Sequence, residues 1–192
     1  MMIPSLFLGL TSSLLFLPCA QADIIPFIIT GAAGDGLLAG NINPPTGETG
    51  SGGIGSTGIY FNTNNNLLHV HVNWGSANGY TDLSSDVLAL HWHGPTSSSG
   101  DAAFGETAPL RIVLSNTTSF DSSASSGGVN ANYLIDTPYV QPMLDGRTYI
   151  NLHLAAGDGG VIRGYMQAVP EPGCLIPVLL ISVCLATRRR RD

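Results

Sequence analysis

Lysine is absent from this chain of 192 residues, and its seven basic side chains are all arginine. Four of them, Arg188, Arg189, Arg190 and Arg191, stand side by side at the C-terminal end, which leaves Arg111, Arg147 and Arg163 for everything before. Over residues 23–168 those three face eleven Asp and Glu, a net charge of −8. That balance disfavours a nucleic-acid partner, because phosphate backbones are held by clustered basic side chains. Cysteine is as scarce: Cys19, Cys174 and Cys184 all lie near the ends. A domain between them folds without disulfides and has no thiolate for a soft metal site. No serine stands in a Gly-x-Ser-x-Gly nucleophile elbow, and the Gly-Asp-Gly-Gly run around Asp158 precedes no helix that could make it a phosphate-binding turn. No catalytic residue is assigned on these grounds, and Asp158 is expected to shape a turn.

What is present begins with two apolar ends. Met1 to Pro18 is apolar and dotted with Ser and Thr, and Ala20-Gln21-Ala22 supplies the small residues that signal peptidase accepts, with cleavage expected before Asp23. Residues 1–22 therefore read as a signal peptide, and the chain as exported. At the other end Val169-Pro170-Glu171-Pro172 leads into an uninterrupted apolar run, residues 174–186, and then the four arginines. Arginine is costly to place in hydrocarbon and stays on the cytoplasmic side, so the run reads as a short transmembrane segment with the body outside. As a helix its 13 residues rise only about 20 Å against a hydrocarbon core of about 30 Å, a length suited to a temporary anchor.

In its order of Val-Pro-Glu-Pro, apolar segment and Arg cluster, the tail of residues 169–192 resembles the PEP-CTERM sorting signal of Gram-negative bacteria. The resemblance implies a second processing partner besides signal peptidase, an exosortase-type transpeptidase of the inner membrane. It would cut near Pro170 to Pro172 and pass the body to the cell surface or to extracellular polysaccharide and matrix. The arginines would then orient an intermediate and be absent from the mature protein.

The 23–168 stretch that remains is long enough for one core. Gly, Ser, Thr and Asn dominate it, and apolar residues alternate in short runs between turn clusters, the pattern of antiparallel strands. Strands are predicted at Ile24–Thr30, Gly55–Phe61, Leu67–Trp74, Val87–His93, Leu110–Leu114, Val129–Ile135, Thr148–Leu154 and Val161–Gln167, with no long amphipathic helix. Hairpin turns are expected at Asn62–Asn66 and Gly157–Gly160. So many short strands are closed most simply as an all-β, antiparallel Greek-key sandwich or flattened barrel. The Ser/Gly-rich stretches Thr96–Gly105 and Asn116–Gly128 are expected to be mobile surface loops.

All five histidines fall in predicted strands, and period-2 geometry sorts their faces. His69, His71 and Asn73 oppose Leu68, Val70, Val72 and Trp74; His91 and His93 oppose Leu90 and Trp92; His153 and Asn151 oppose Ile150, Leu152 and Leu154. Each i, i+2 pair places two imidazoles about 6–7 Å apart along a strand. If the strands are neighbours the rings can converge on one ion, and neutral imidazole suits copper or zinc. His91, His93 and His153 are the favoured ligands, with His69 and His71 as auxiliaries. The competing reading is that each histidine only bonds a neighbour on the wetter face of its strand.

The body carries a second resemblance. His-x-His-Gly-Pro at His91–Pro95, Tyr-x-Asn-x-His at Tyr149–His153 and Gly-Gly-x-Ile-Arg-Gly at Gly159–Gly164 together look like the CHRD domain, named from chordin. The resemblance covers most of residues 24–168. It departs in the extra His69-x-His71 pair and in a loose segment between Gly31 and Gly40. It implies an immunoglobulin-like or superoxide-dismutase-like β-sandwich and no established reaction. Two functional expectations follow: a non-catalytic cell-surface or matrix module, or an extracytoplasmic copper- or zinc-binding protein with conceivable dismutase-like chemistry. A polysaccharide-binding module is a third, for which the candidate aromatics are Tyr60, Tyr80, Tyr133 and Tyr139.

Overall fold

The period-2 alternation of the sequence becomes eight antiparallel strands, in a computed structural model that describes residues 23–155 and 160–169. The strands are β1 (Ile24–Thr30), β2 (Gly52–Asn62), β3 (Leu67–Trp74), β4 (Val87–His93), β5 (Leu110–Val113), β6 (Gly128–Leu134), β7 (Thr148–Leu154) and β8 (Gly160–Ala168). One short helix, α1 (Thr137–Leu144), lies between β6 and β7. The cleavage residues Ala20 and Ala22, Asp158, and the sorting residues Pro170, Glu171, Pro172 and Arg188–Arg191 lie outside the described residues, as does the apolar run 174–186. Asp23 and Val169 are described, and the Val169 amide donates to the Pro26 carbonyl at 2.9 Å. Among the described residues no helix is long and apolar enough to cross a membrane.

The strands form a single sheet in the order β5-β4-β7-β8-β1-β2-β3-β6. Alternate residues turn inward from six of the strands: Phe27 and Ile29, Ile59 and Phe61, Leu68 to Trp74, Leu90 and Trp92, Ile150 to Leu154, and Ile162 and Met166 all join one buried cluster. A sheet whose one face fills one core from both halves has curled over on itself, as strand twist favours. Its two edges meet where Tyr133 Oη on β6 donates to the Leu114 carbonyl just beyond β5, at 2.5 Å. β5 and β6 share no ladder, so this contact between them is made by a side chain and not by backbone pairing. The expected all-β architecture is the observed one.

Where the structure departs from the sequence reading, the cause is local. The helix α1 was hidden by two prolines: Pro138 sits in the first turn, where its missing amide has no partner to lose. Pro142 stands inside the helix, where it costs a hydrogen bond that so short a helix hardly needs. Gly146, at φ +70°, then ends it with its amide on the Met143 carbonyl. Both stretches expected to be mobile are pinned. Between Asn116 and Gly128, Asp121 bridges Gly128, and the Leu83 and Val87 amides donate to the Ala124 and Ser122 carbonyls. Between Thr96 and Gly105, Ala103 is fully buried against Tyr149 and Tyr165 on the outer face of β7 and β8. The loose segment before β2 is tied down by buried Asn41, which accepts from the Ala33 amide and donates to the Gly34, Gly36 and Arg163 carbonyls.

Candidate metal site

Because Leu90 and Trp92 of β4 point into the core, His91 and His93 point out of it, and register decides what they meet. On the outer face His93 lies opposite Tyr149 of β7, which lies opposite Tyr165 of β8. One row along, His91 lies opposite Asn151, which lies opposite Arg163. His153 is the next outward residue on β7. The three imidazoles His91, His93 and His153 therefore come from two adjacent strands, and one potential ligand atom from each lies within 4.8 Å of the others. They are the one such group of three or more among the described residues. This is the subset that the alternation favoured.

The hydrogen bonds assign the ring nitrogens. His93 Nδ1 lies 2.9 Å from the Ala108 carbonyl; a carbonyl only accepts, so Nδ1 carries the proton and Nε2 presents a lone pair. That Nε2 is buried and has no hydrogen-bond partner. A ligating histidine is commonly held in this way, with the far nitrogen tied to a carbonyl and the near one left free to coordinate. His91 Nδ1 faces His153 Nε2 at 3.1 Å. The Asn151 amide fixes the donor there: its oxygen faces Arg163 Nε at 3.5 Å, so its nitrogen approaches His153 Nε2, at 3.2 Å. His153 Nε2 thus accepts, and His91 Nδ1–H donates. Two ligands of a tetrahedral ion with bonds of about 2.0–2.1 Å stand roughly 3.3 Å apart, so a cation fits in place of that shared proton.

The rings are held from behind as well. His93 stacks on Tyr149 with centroids 4.9 Å apart and planes within 5°. The Arg163 guanidinium lies 4.0 Å from the centre of the same Tyr149 ring. Tyr149 Oη accepts from the Ala108 amide at 3.0 Å, so the strap that holds His93 Nδ1 is itself fastened to β7. Burial lowers the pKa of His91. It does the same for His93, where the Ala108 bond works against it and the charges of His91 and Arg163 add to it. Both rings are therefore neutral near pH 7, the form that ligates.

His69 and His71 are not brought to this place. They lie on β3, separated from β4 by four strands of the sheet. His69 is nearly buried, stacks on Tyr60 with centroids 4.6 Å apart, and meets Asn132 Oδ1 through Nδ1 and Thr57 Oγ1 through Nε2, each at 3.0 Å. His71 Nδ1 accepts the Thr57 amide at 3.1 Å, and burial lowers its pKa with the charge of His69 adding to the effect. Both are satisfied strand histidines, and their assignment as auxiliary ligands is corrected by the topology. The four tyrosines considered for sugar stacking are half-buried and engaged: Tyr60 on His69, Tyr80 Oη on the Ile54 carbonyl, Tyr133 at the sheet junction, and Tyr139 under Arg111.

Sequence reasoning missed Arg163, the Ala108 carbonyl and the roles of Tyr149 and Asn151. Arg163 had a signal, as one of three arginines in the body and, with Arg111, one of the two set in apolar strands; the Ala108 carbonyl had none, since only the path of the 94–109 strap places it. No curated protein and no solved structure matches the chain. Residues 36–166, from the segment before β2 to most of β8, match the CHRD domain, and the chain belongs to that family.

Proposed function

We propose that this CHRD-domain protein is an exported, non-catalytic surface or matrix module, trimmed at both ends, whose folded body binds one transition-metal ion through His91, His93 and His153. The export reading rests on the apolar ends and the Val169-Pro170-Glu171-Pro172 signal, with signal peptidase and an exosortase-type transpeptidase as processing partners and the cell surface or extracellular matrix as destination. The metal reading is carried by one observation: the buried Nε2 of His93 has its proton placed on the other nitrogen, has no partner, and belongs to a group of three imidazole ligand atoms within 4.8 Å. Three neutral imidazoles suit copper(II) or zinc, and the described residues add no thiolate.

The test is to isolate the mature protein from a host that carries an exosortase and to measure its intact mass and metal content together. The expected mass lacks residues 1–22 and everything beyond the Pro170–Pro172 region, and the expected metal is one copper or zinc per chain. The double variant His91→Ala/His93→Ala is expected to keep the strand circular-dichroism spectrum and to lose the metal. A wild-type body that is folded and metal-free after incubation with both ions refutes the metal reading, and an unprocessed C-terminus refutes the sorting reading.

A further inference from the structure

Arg163 is 5% exposed, yet no carboxylate pairs with it among the described residues. Its Nη1 donates to the Glu106 carbonyl at 2.9 Å and to Tyr165 Oη at 3.2 Å, its Nε reaches Asn151 Oδ1 at 3.5 Å, and its plane covers Tyr149. All of these partners are neutral. Its backbone is locked as well, through a bridge to Leu38 and the Asn41 side chain. Buried guanidinium groups are ordinarily neutralised, because a desolvated charge is costly without a counter-charge.

The histidine group stands one residue away. Asn151 touches Arg163 with its oxygen and His153 with its nitrogen, and Tyr149 is stacked by His93 and covered by Arg163. A divalent ion at these three imidazoles meets no carboxylate or thiolate among the described residues. Three protein ligands also leave a tetrahedral ion one position short, as in sites that hold an exchangeable ligand. All three histidines are half-buried, on the outer face of the sheet. Two positive centres on either side of one amide, neither with a counter-charge among the described residues, suit an anion.

We propose that the remaining coordination position of the ion at His91, His93 and His153 is a small-anion subsite, with Arg163 as a positioning residue that supplies positive charge behind it. The inference rests on the metal reading above and goes beyond it by naming what the metal holds. The anion replaces a bound water at the ion; no bond within the protein is made or broken. A monovalent anion offsets one of the three positive charges, and its binding is expected to tighten the metal, by reciprocity between the two ligands.

Cobalt(II) serves as the spectroscopic probe, added to the full-length chain in mild detergent, and azide as the anion. Cobalt is expected to bind one per chain with the intense visible bands of a tetrahedral site, and azide to shift those bands saturably. Arg163→Gln is expected to keep the cobalt bands and to weaken azide by about fivefold, the order of one unit charge acting across a partly solvated distance. Arg163→Lys, which restores the charge, is expected to bring azide affinity back to within about twofold. Failure of cobalt to bind defeats the metal reading itself. Cobalt bands that azide leaves unmoved defeat the anion subsite while the metal reading stands. Equal azide affinity in wild type and Arg163→Gln overturns the role of Arg163. If Arg163→Gln does not fold, the wild-type azide titration and Arg163→Lys still decide: loss of azide binding in the lysine variant with cobalt retained overturns the charge argument.

Discussion

Single side chains hold the strap that covers the outer face of β7 and β8. Glu106 accepts the Ser97 amide at 2.8 Å and the Ser98 amide at 3.2 Å, with the Ser97 hydroxyl as a third donor. Donation from the Ser97 and Ser98 side chains and amides stabilises the carboxylate and lowers its pKa to about 2. A depressed folded pKa means that the contribution is whole above the ordinary value near 4.5 and is lost as the pH falls from there through about 2. Amide hydrogen exchange at Ser97 and Ser98 is therefore expected to stay slow down to about pH 3 and to quicken below it, relative to core strand amides. Glu106→Gln, which accepts less strongly, is expected to show fast exchange at both amides across the whole range. Slow, pH-independent exchange in that variant defeats the assignment.

The residue scale also explains what the sequence could disclose about the site. His91, His93 and His153 were legible as outward residues because alternation alone fixes a face. Their convergence was not, since it depends on β4 and β7 being neighbours, and those strands are separated by the whole excursion through β5, β6 and α1. His69 and His71 show the same limit from the other side: their spacing matches that of His91 and His93, but β3 pairs with β2 and β6, whose Thr57 and Asn132 satisfy them.

At the scale of elements, strands with a clean apolar rhythm were read to the residue: β1, β3, β4 and β7 have the predicted bounds. The start of β2 was missed because Gly52 and Gly53 carry no side chain to register on either face, and a register shift between Ile54 and Ile59 breaks the alternation. Glycine matters again where the 116–128 segment crosses the end of β3. A Cβ on Gly127 would lie 2.1 Å from Trp74 Nε1 and 2.4 Å from the Ser123 carbonyl, the pair joined by a 2.7 Å hydrogen bond. Neither can retreat, because Trp74 is fully buried and Ser123 is fixed in its turn by the Asp121 side chain. Gly127→Ala is expected to cost about 1–3 kcal/mol by overpacking, read as a lower urea midpoint with an unchanged slope. A variant as stable as wild type shows that the segment can lift off Trp74 without penalty.

Over the whole molecule, the open question for a single curled sheet is what keeps its edges together. β5 and β6 share no ladder, and both carry exposed apolar residues, Leu110 and Val113 on one and Leu134 on the other. Tyr133 ties β6 to the chain just past β5 by its bond to the Leu114 carbonyl, and burial pushes its hydroxyl up to about 12. A raised folded pKa means that stability is whole below the unfolded value near 10 and is lost as the pH rises from there toward 12. The ionised oxygen can no longer donate, so the same rise removes the bond that joins the edges. Tyr133→Phe keeps the ring in the core and leaves the Leu114 carbonyl without its donor, at a cost of about 1–3 kcal/mol near neutral pH. In urea titrations repeated from pH 7 to pH 11, the wild-type midpoint is expected to fall more steeply above pH 10 than that of Tyr133→Phe, so that the two curves converge. Curves that coincide from pH 7 upward would place the closure of the sheet in the shared core alone, with Tyr133 as a passenger at the seam.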